Sequence, residues 1–492
     1  MRKGWIVLLA AVLVVAFAAP AMADLKVTGF YRAKAMLSSF FDGSGGPSIR
    51  TDAAEQTNAY VEHRARIKFD VGTEVARAVF HFESDMTWGE GAAQNGARNG
   101  GGALSADSIQ LETKEVYVFF KIPDTSVTAK VGMQSVNDHY AGIFSNAADM
   151  AGIFLGGQFE PVKWTFGWAK LFENNAGGAS GGFEQDDDVD LYIASAKFAP
   201  AKDMDLGVNL YFLKDNSGRE GGAKLDPVQG LGSDIGFTAP LNGFKVKVYT
   251  PGVNFAMNAG PAKLSAFAFY QFGTADSVVP GVQDVDIKAY LADIRADLKL
   301  GPGKFFVEGL YVSGGDGSDA TKYESPITLG DYQIAGTNTG GNSGFGRTNM
   351  YFLFGADSVN ISQCLIGCSG GELGDSLGNS GRGLWHIAAG YSQDFTSKLR
   401  GAVNVGMLQA VDTYKTAANN VDTAAAGAIR ADRKKDIGTE FNARVDYLIG
   451  KGLDVSLVGA YLMLGDFVQN DAGELEFKDS YYMGYARLNY SF

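Results

Sequence analysis

Ala59-Tyr60-Val61-Glu62-His63-Arg64-Ala65-Arg66-Ile67-Lys68-Phe69-Asp70-Val71 is the stretch that decides the fold. Ala59, Val61, Ala65, Ile67, Phe69 and Val71 share one parity, and Glu62, Arg64, Arg66, Lys68 and Asp70 fill the other, with only His63 breaking the apolar set. Successive side chains of a strand point to opposite faces, so this segment has one apolar face and one heavily charged face. The next segment repeats it, with Ala76, Ala78, Phe80, Phe82, Met86 and Trp88 on one side and Arg77, His81, Glu83 and Asp85 on the other. Thr73-Glu74 reads as a two-residue turn, which sets Gly72 opposite Val75, Asp70 opposite Arg77 and Arg64 opposite Glu83. Opposed charges on one face attract, and a slip by one would bring apolar residues onto the charged face, so this register is the expected one. Glu62 opposite Asp85 is its one poor pair.

The same dyad pattern returns along the chain between Gly/Asn/Asp/Ser-rich intervals. Near the end, Ile437, Thr439, Phe441, Ala443, Val445 and Tyr447 alternate with polar neighbours. One segment changes parity midway: Val285, Ile287, Ala289 and Leu291 form the apolar set first, then Ala292, Ile294, Ala296, Leu298 and Leu300. A β-bulge near Leu291-Ala292 would restore the phase and is expected there. Short connections fall at Gly72 to Glu74, Pro123 to Ser126, Glu160-Pro161, Ala199 to Asp203, Ala259 to Pro261, Gly301 to Gly303, Thr396-Ser397 and Gly450 to Gly452. Long ones alternate with them, the longest from Gly314 to Leu384. This alternation predicts about 18 antiparallel strands, with 16 as the alternative, and both termini on the short-turn side.

Such strands must choose a solvent for each face. A soluble set of sandwiches would bury the apolar face inside, but no linker or composition break divides the chain, and aromatics such as Trp88, Trp164 and Phe172 stand near strand ends on the apolar face. The favoured arrangement turns the apolar face to lipid and the charged face to a water-filled lumen, with closure satisfying every backbone hydrogen bond in the membrane. Composition agrees. Of 492 residues, 65 are glycine and only 12 proline, and 55 acidic against 42 basic side chains give a formal charge of −13, which excludes a nucleic-acid binder. Two cysteines exclude a disulfide scaffold. Arg2 and Lys3, the apolar run Trp5 to Ala19 and the small-x-small site Ala21-Met22-Ala23 read as a signal peptide over 1–23, leaving 24–492 as a single barrel domain with a charge of −15.

The last strand carries a resemblance. Tyr482, Gly484, Ala486, Leu488, Tyr490 and Phe492 alternate to a terminal phenylalanine, which resembles the C-terminal signature of Gram-negative outer-membrane β-barrels. That resemblance implies recognition of Tyr490 and Phe492 by the barrel-assembly machinery. Glu115-Val116-Tyr117-Val118-Phe119-Phe120-Lys121, followed by Val127 to Gln134, resembles the hairpin that precedes the constriction loop of bacterial porins. Met133 stands where that family usually carries arginine, and its inward-loop motif is reduced to Phe154-Leu155-Gly156-Gly157. The resemblance implies a porin of the Gram-negative outer membrane, in contact with lipid and lipopolysaccharide. Similar general porins are homotrimers, while several similar channels are monomers.

Gly374-Asp375-Ser376-Leu377-Gly378 matches a nucleophile elbow, yet glycines precede it where a buried strand is needed, and Gly178 to Gly182 matches equally well inside another loop. No enzyme and no cofactor are therefore expected. Cys364 and Cys368, in the longest interval, read as a small disulfide, since export leads to an oxidising compartment. Glu184, Asp186, Asp187, Asp188 and Asp190 read either as a solvated loop or as a divalent-cation site bridging lipopolysaccharide, and no firm metal site is expected.

The functional expectation rests on pore-lining charge. Arg32, Lys34, Arg64, Arg66, Lys68, Arg77 and His81 form a basic sector on the first three strands, accompanied by Glu62, Glu83 and Asp85. If the loop Val136 to Met150 folds inward, Asp138 and Asp149 would face that sector across the pore, and a transverse field would favour polar solutes. The simpler account, charges pairing along a wet wall, stands beside it. The chain thus reads as a passive channel for small hydrophilic solutes and ions. A substrate-specific channel and the sheath of a porin-cytochrome electron conduit are the alternatives, although no C-x-x-C-H occurs.

Overall fold

The computed structural model describes residues 24–40, 57–90, 102–104, 111–172, 188–216, 244–278, 281–316, 319, 321–329, 345–358, 363–367, 377–378, 381–412, 435–468 and 479–492. The segment 1–23, Ser376, Cys368 and Glu184 to Asp187 lie outside these residues. The strands are β1 (Asp24–Ser38), β2 (Asn58–Gly72), β3 (Ala76–Thr87), β4 (Glu112–Lys121), β5 (Thr128–Val136), β6 (Ala148–Phe159), β7 (Val162–Phe172), β8 (Val189–Ala201), β9 (Met204–Asp215), and β10 (Phe244–Ala259). They continue with β11 (Ala262–Ser277), β12 (Val285–Leu300), β13 (Gly303–Val312), β14 (Lys322–Tyr323), β15 (Leu384–Asp394), β16 (Leu399–Ala410), β17 (Asp436–Gly450), β18 (Leu453–Leu464) and β19 (Ser480–Ser491). Every strand except β14 pairs antiparallel with its neighbours, and β19 returns to β1 from Phe30 opposite Ser491 to Ser38 opposite Met483. The two-residue β14 only leans in parallel on β12, so among the described residues the wall is a closed barrel of 18 strands.

Closure removes both sheet edges, and the pleat then assigns every strand residue to lumen or lipid. The outward set is apolar and exposed, as at Val118, Phe166, Val208, Ile294, Ile387 and Leu457. Aromatics bound it at both heights. On the loop side Tyr192, Phe212, Tyr249 and Phe272 stack across four strands at 5.7, 4.4 and 5.4 Å, and Tyr290 stacks on Tyr311 at 5.6 Å. On the turn side Phe159 stacks on Trp164 at 5.8 Å, and Tyr490 and Phe492 close the row. Amphipathic rings settle at the lipid–water boundary, so these two girdles mark a transmembrane barrel.

Two expected registers are corrected. The β2–β3 hairpin sets Gly72 opposite Arg77, Arg66 opposite Glu83 and Arg64 opposite Asp85, two residues away from a two-residue turn. Thr73 decides this: its N–H donates to the Ala76 carbonyl at 2.8 Å, and its Oγ1 accepts from the Val75 and Ala76 N–H at 3.2 and 3.3 Å. A slip of two keeps both faces, and it moves Glu62 opposite Thr87 instead of Asp85, relieving a like-charge pair. The bulge expected at Leu291-Ala292 is absent: β12 pairs without a shift to β11 and β13 through both residues. What changes there is the polarity of the inner face. Val285, Ile287, Ala289 and Leu291 point inward and are buried, and after them Asp293, Arg295 and Asp297 point inward while Ile294, Leu298 and Leu300 face out. The inward apolar set meets chain segments folded into the loop-side half of the barrel, which join one continuous apolar cluster with the strands.

Candidate functional site

The inner wall of β1 to β4 holds a continuous set of charges. Alternation on β1, β2 and β3 turns Arg32, Lys34, Glu62, Arg64, Arg66, Lys68, Arg77, His81, Glu83 and Asp85 to the lumen, where adjoining strands pair them. Arg64 grips Asp85 with two hydrogen bonds of 2.8 and 2.5 Å, and Arg66 donates to Glu83. Lys34 lies 2.9 Å from Glu62, and Arg77 donates to Asp70 at 2.7 Å. Glu115 of β4 accepts from Lys68 at 2.6 Å and meets His81 Nδ1 at 2.9 Å. Glu115 and its neighbour Lys114 complete the cluster; alternation would send adjacent residues to opposite faces, and the register shift of β3–β4 between His81 and Phe82, which leaves Lys114 without a partner in the ladder, is what the sequence did not signal.

The two signs occupy different depths. The side chains of Glu83, Asp85 and Glu115 are at most 9% exposed, whereas those of Arg66 and Lys68 are 28 and 32% exposed; Lys34 is buried together with Glu62, and Arg77 and Asp70 are about equally exposed. At Arg66 and Lys68 the base therefore reaches toward the lumen over a buried acid. A partly hydrated cation held by a buried carboxylate keeps donors free for a passing anion, which a surface pair of equal exposure would not.

The loop after β5 does fold inward, and its two acids do not do what was expected of them. Asp138 turns into its own loop, accepting backbone N–H groups from Tyr140, Gly142, Phe144 and Ser145 at 2.8, 2.8, 2.5 and 2.9 Å. Burial pushes its carboxyl up even against these four donors, and both of its oxygens are taken by its own loop rather than turned to the pore. Asp149 does reach the basic sector, but on the same side, bound to Lys114 at 2.6 Å rather than facing it across the lumen. The loop enters for apolar reasons: Tyr140 packs 5.0 Å from Phe269, and Phe144 4.7 Å from Tyr211. The Phe144 carbonyl receives the Leu329 N–H at 3.0 Å, and the Gln271 amide brackets Ile327 at 2.7 and 2.8 Å. Tyr211 and Tyr485 line the interior, while Tyr192 and Tyr290 point outward into the girdle.

Residues 345–358, from the longest interval, also lie inside the barrel and are fastened at three points. Arg347 reaches Asp293 at 2.8 Å, Ser265 at 2.7 Å and Glu308 at 3.3 Å on β11 to β13. Glu440, buried on β17, accepts the backbone N–H groups of Tyr351, Phe352 and Leu353 at 2.8, 2.9 and 3.0 Å. Asp357 binds Arg487 at 2.9 and 2.7 Å, Tyr485 at 2.8 Å and Arg32 at 3.2 Å on β19 and β1. Burial pushes the Asp357 carboxyl up, but Arg487, Arg32 and Lys34 outweigh it and hold it below the usual carboxylate value. Cys364 is buried and disulfide-bonded beside this segment, and Leu365 donates to the Phe352 carbonyl at 2.8 Å. Among the described residues no group of three or more His, Cys, Asp or Glu is placed to hold a metal ion.

No protein-family profile and no curated protein sequence matches the chain. Solved structures do match. The outer membrane protein OpdK of Pseudomonas aeruginosa superposes with a TM-score of 0.50 at 11% identity over 95% of this chain and 98% of that one. The same protein with vanillate gives 0.50 at 12% identity over the same shares. OccAB1 of Acinetobacter baumannii gives 0.50 at 11% identity over 96% of this chain and 99% of that one. The likeness is one of fold and runs through the whole of both chains.

Proposed function

We propose that the chain is an outer-membrane channel through which small hydrophilic solutes diffuse passively, with a preference for anions such as small carboxylates. The observation that carries this reading is the lumen wall of β1 to β4, where Arg66 and Lys68 reach toward water over the buried Glu83 and Glu115. The formal charge of −13 points the other way, but charge far out on loops acts through screening solvent, whereas wall charges act within a few ångströms of the solute. Vanillate, the carboxylate bound by OpdK, belongs to the class of solute such a wall would hold. Infolded segments narrow the loop-side half, which favours a selective channel over a wide general porin. They also occupy space that a sheathed cytochrome would need. The apolar outer band supports contact with lipid and lipopolysaccharide, and the outward Tyr490 and Phe492 support recognition by the assembly machinery.

The test is single-channel recording of the purified chain in a planar bilayer under a salt gradient. Discrete ohmic steps with an anion-selective reversal potential are expected, and Arg66→Gln shifts that potential toward cations. A silent membrane with folded protein would reject the channel.

A further inference from the structure

Asp357 is held as a ligand is held. Two Arg487 hydrogen bonds, one from Tyr485 and one from Arg32 converge on its two oxygens, Lys34 Nζ donates to its backbone carbonyl at 3.2 Å, and Arg444 stands 4.0 Å away. These groups come from β17, β19 and β1, and none is near residue 357 in sequence, so the wall forms an anion receptor that the chain fills with its own carboxylate. The backbone serves the same end: Asp357 adopts φ 61°, a left-handed conformation that a non-glycine residue takes only where its surroundings select it. Arg32 also stands opposite Arg64 in the β1–β2 register, so the receptor continues the basic layer described above. A carboxylate travelling along that layer arrives where Asp357 already sits.

Building on the channel reading, we propose that residues 345–358 are an autoinhibitory strap, that the Asp357 side chain is a tethered competitor in a carboxylate receptor of Arg32, Arg487 and Tyr485, and that a free carboxylate displaces it and widens the passage. Asp357 is the fastening of the strap to β19 and β1; once it leaves, the strap is held by Glu440, by Asn442 on the Asn349 carbonyl, by the Leu365 and Ile366 N–H groups on the Phe352 and Leu353 carbonyls, and by Arg347 at the far end. A tethered ligand is present at high effective concentration, so the free competitor acts only in the millimolar range and only if the strap pays for its own docking weakly. The receptor thereby couples occupancy by solute to opening, because the same arginines cannot serve both carboxylates at once.

Two readouts on the whole chain test this, with benzoate as the probe. Hydrogen exchange by mass spectrometry follows the Tyr351, Phe352 and Leu353 amides, and bilayer recording follows conductance. Millimolar benzoate is expected to speed exchange of those amides in the wild type and to raise conductance several-fold. Asp357→Asn is expected to do both without benzoate and to respond no further to it. Arg487→Gln, which damages the receptor from the wall side, is expected to expose the same amides and to abolish the benzoate response. Exchange that neither benzoate nor Asp357→Asn alters would overturn the strap, whatever the conductance. Benzoate-dependent exchange over a silent bilayer would keep the strap and remove the channel. Should Asp357→Asn fail to fold, the wild-type response to benzoate alone decides.

Discussion

Along β12 the same alternation serves two environments. From Val285 to Leu291 the inward residues are apolar and packed against infolded chain, whereas from Asp293 onward the inward residues are charged and the apolar ones face lipid. Around β12 the loop-side part of the barrel is therefore built like the core of a soluble protein, with its apolar face inside, and the turn-side part is inverted. A period of two shows that a strand has two faces; it does not say which solvent each face meets. That depends on whether something other than water fills the lumen at that height.

The contrast is sharpest at Glu440, whose carboxylate holds three strap amides in the filled half. Glu440→Ala leaves those donors buried without a partner, at about 1–3 kcal/mol each when nothing relaxes. A loss of about 4 kcal/mol in denaturant unfolding is expected, with Glu440→Gln losing less, since its amide keeps one acceptor. An unaltered midpoint for Glu440→Ala would show that the loop-side half is wet and the two halves are alike. A second comparison uses two isoleucines of one strand. Ile287→Ala opens a cavity in packed protein and is expected to cost about 4 kcal/mol. Ile294→Ala faces lipid, which flows into the space, so only the transfer term of about 2 kcal/mol is lost. Equal losses in parallel unfolding measurements would erase the distinction.

The smallest expected effect is one of pH. Because the folded Asp357 carboxyl titrates below its ordinary value, its contribution to strap docking is complete above the unfolded pKa of 3.8 and is lost only as pH falls through the lower folded value. Arg487, Arg32, Lys34, Arg444 and Tyr485 are the charged and titratable groups that face it. Conductance is thus expected to stay flat from neutral pH down to about 5 and to rise only in stronger acid. A rise already near about pH 6 would assign opening to a histidine instead.

Much of the barrel was legible because each strand states its own faces. The parity at Ala59 to Val71, the alternation of short and long connections and the terminal Tyr490 and Phe492 led directly to 18 strands closed on lipid. The basic sector was legible for the same reason, since Arg64, Arg66 and Lys68 sit on one parity of one strand. Register was less so. A slip of two residues preserves every face, and only the Thr73 hydrogen bonds, which no periodicity records, choose between the two hairpins.

The parts that fill the barrel were not legible. Asp357 stands in an interval with no periodicity, and its hydrogen-bonding partners Arg32 and Arg487 lie more than a hundred residues away in either direction, so no local pattern connects them. Asp138 misled because its charge was readable and its destination was not: four backbone N–H groups of its own loop claim it. By itself the sequence determined a closed transmembrane β-barrel with a charged wall, since backbone satisfaction in lipid leaves alternating strands no other solution. The tertiary structure alone decided which part of that wall meets water, because filling a lumen is a matter of long-range packing between segments whose sequences carry no sign of one another.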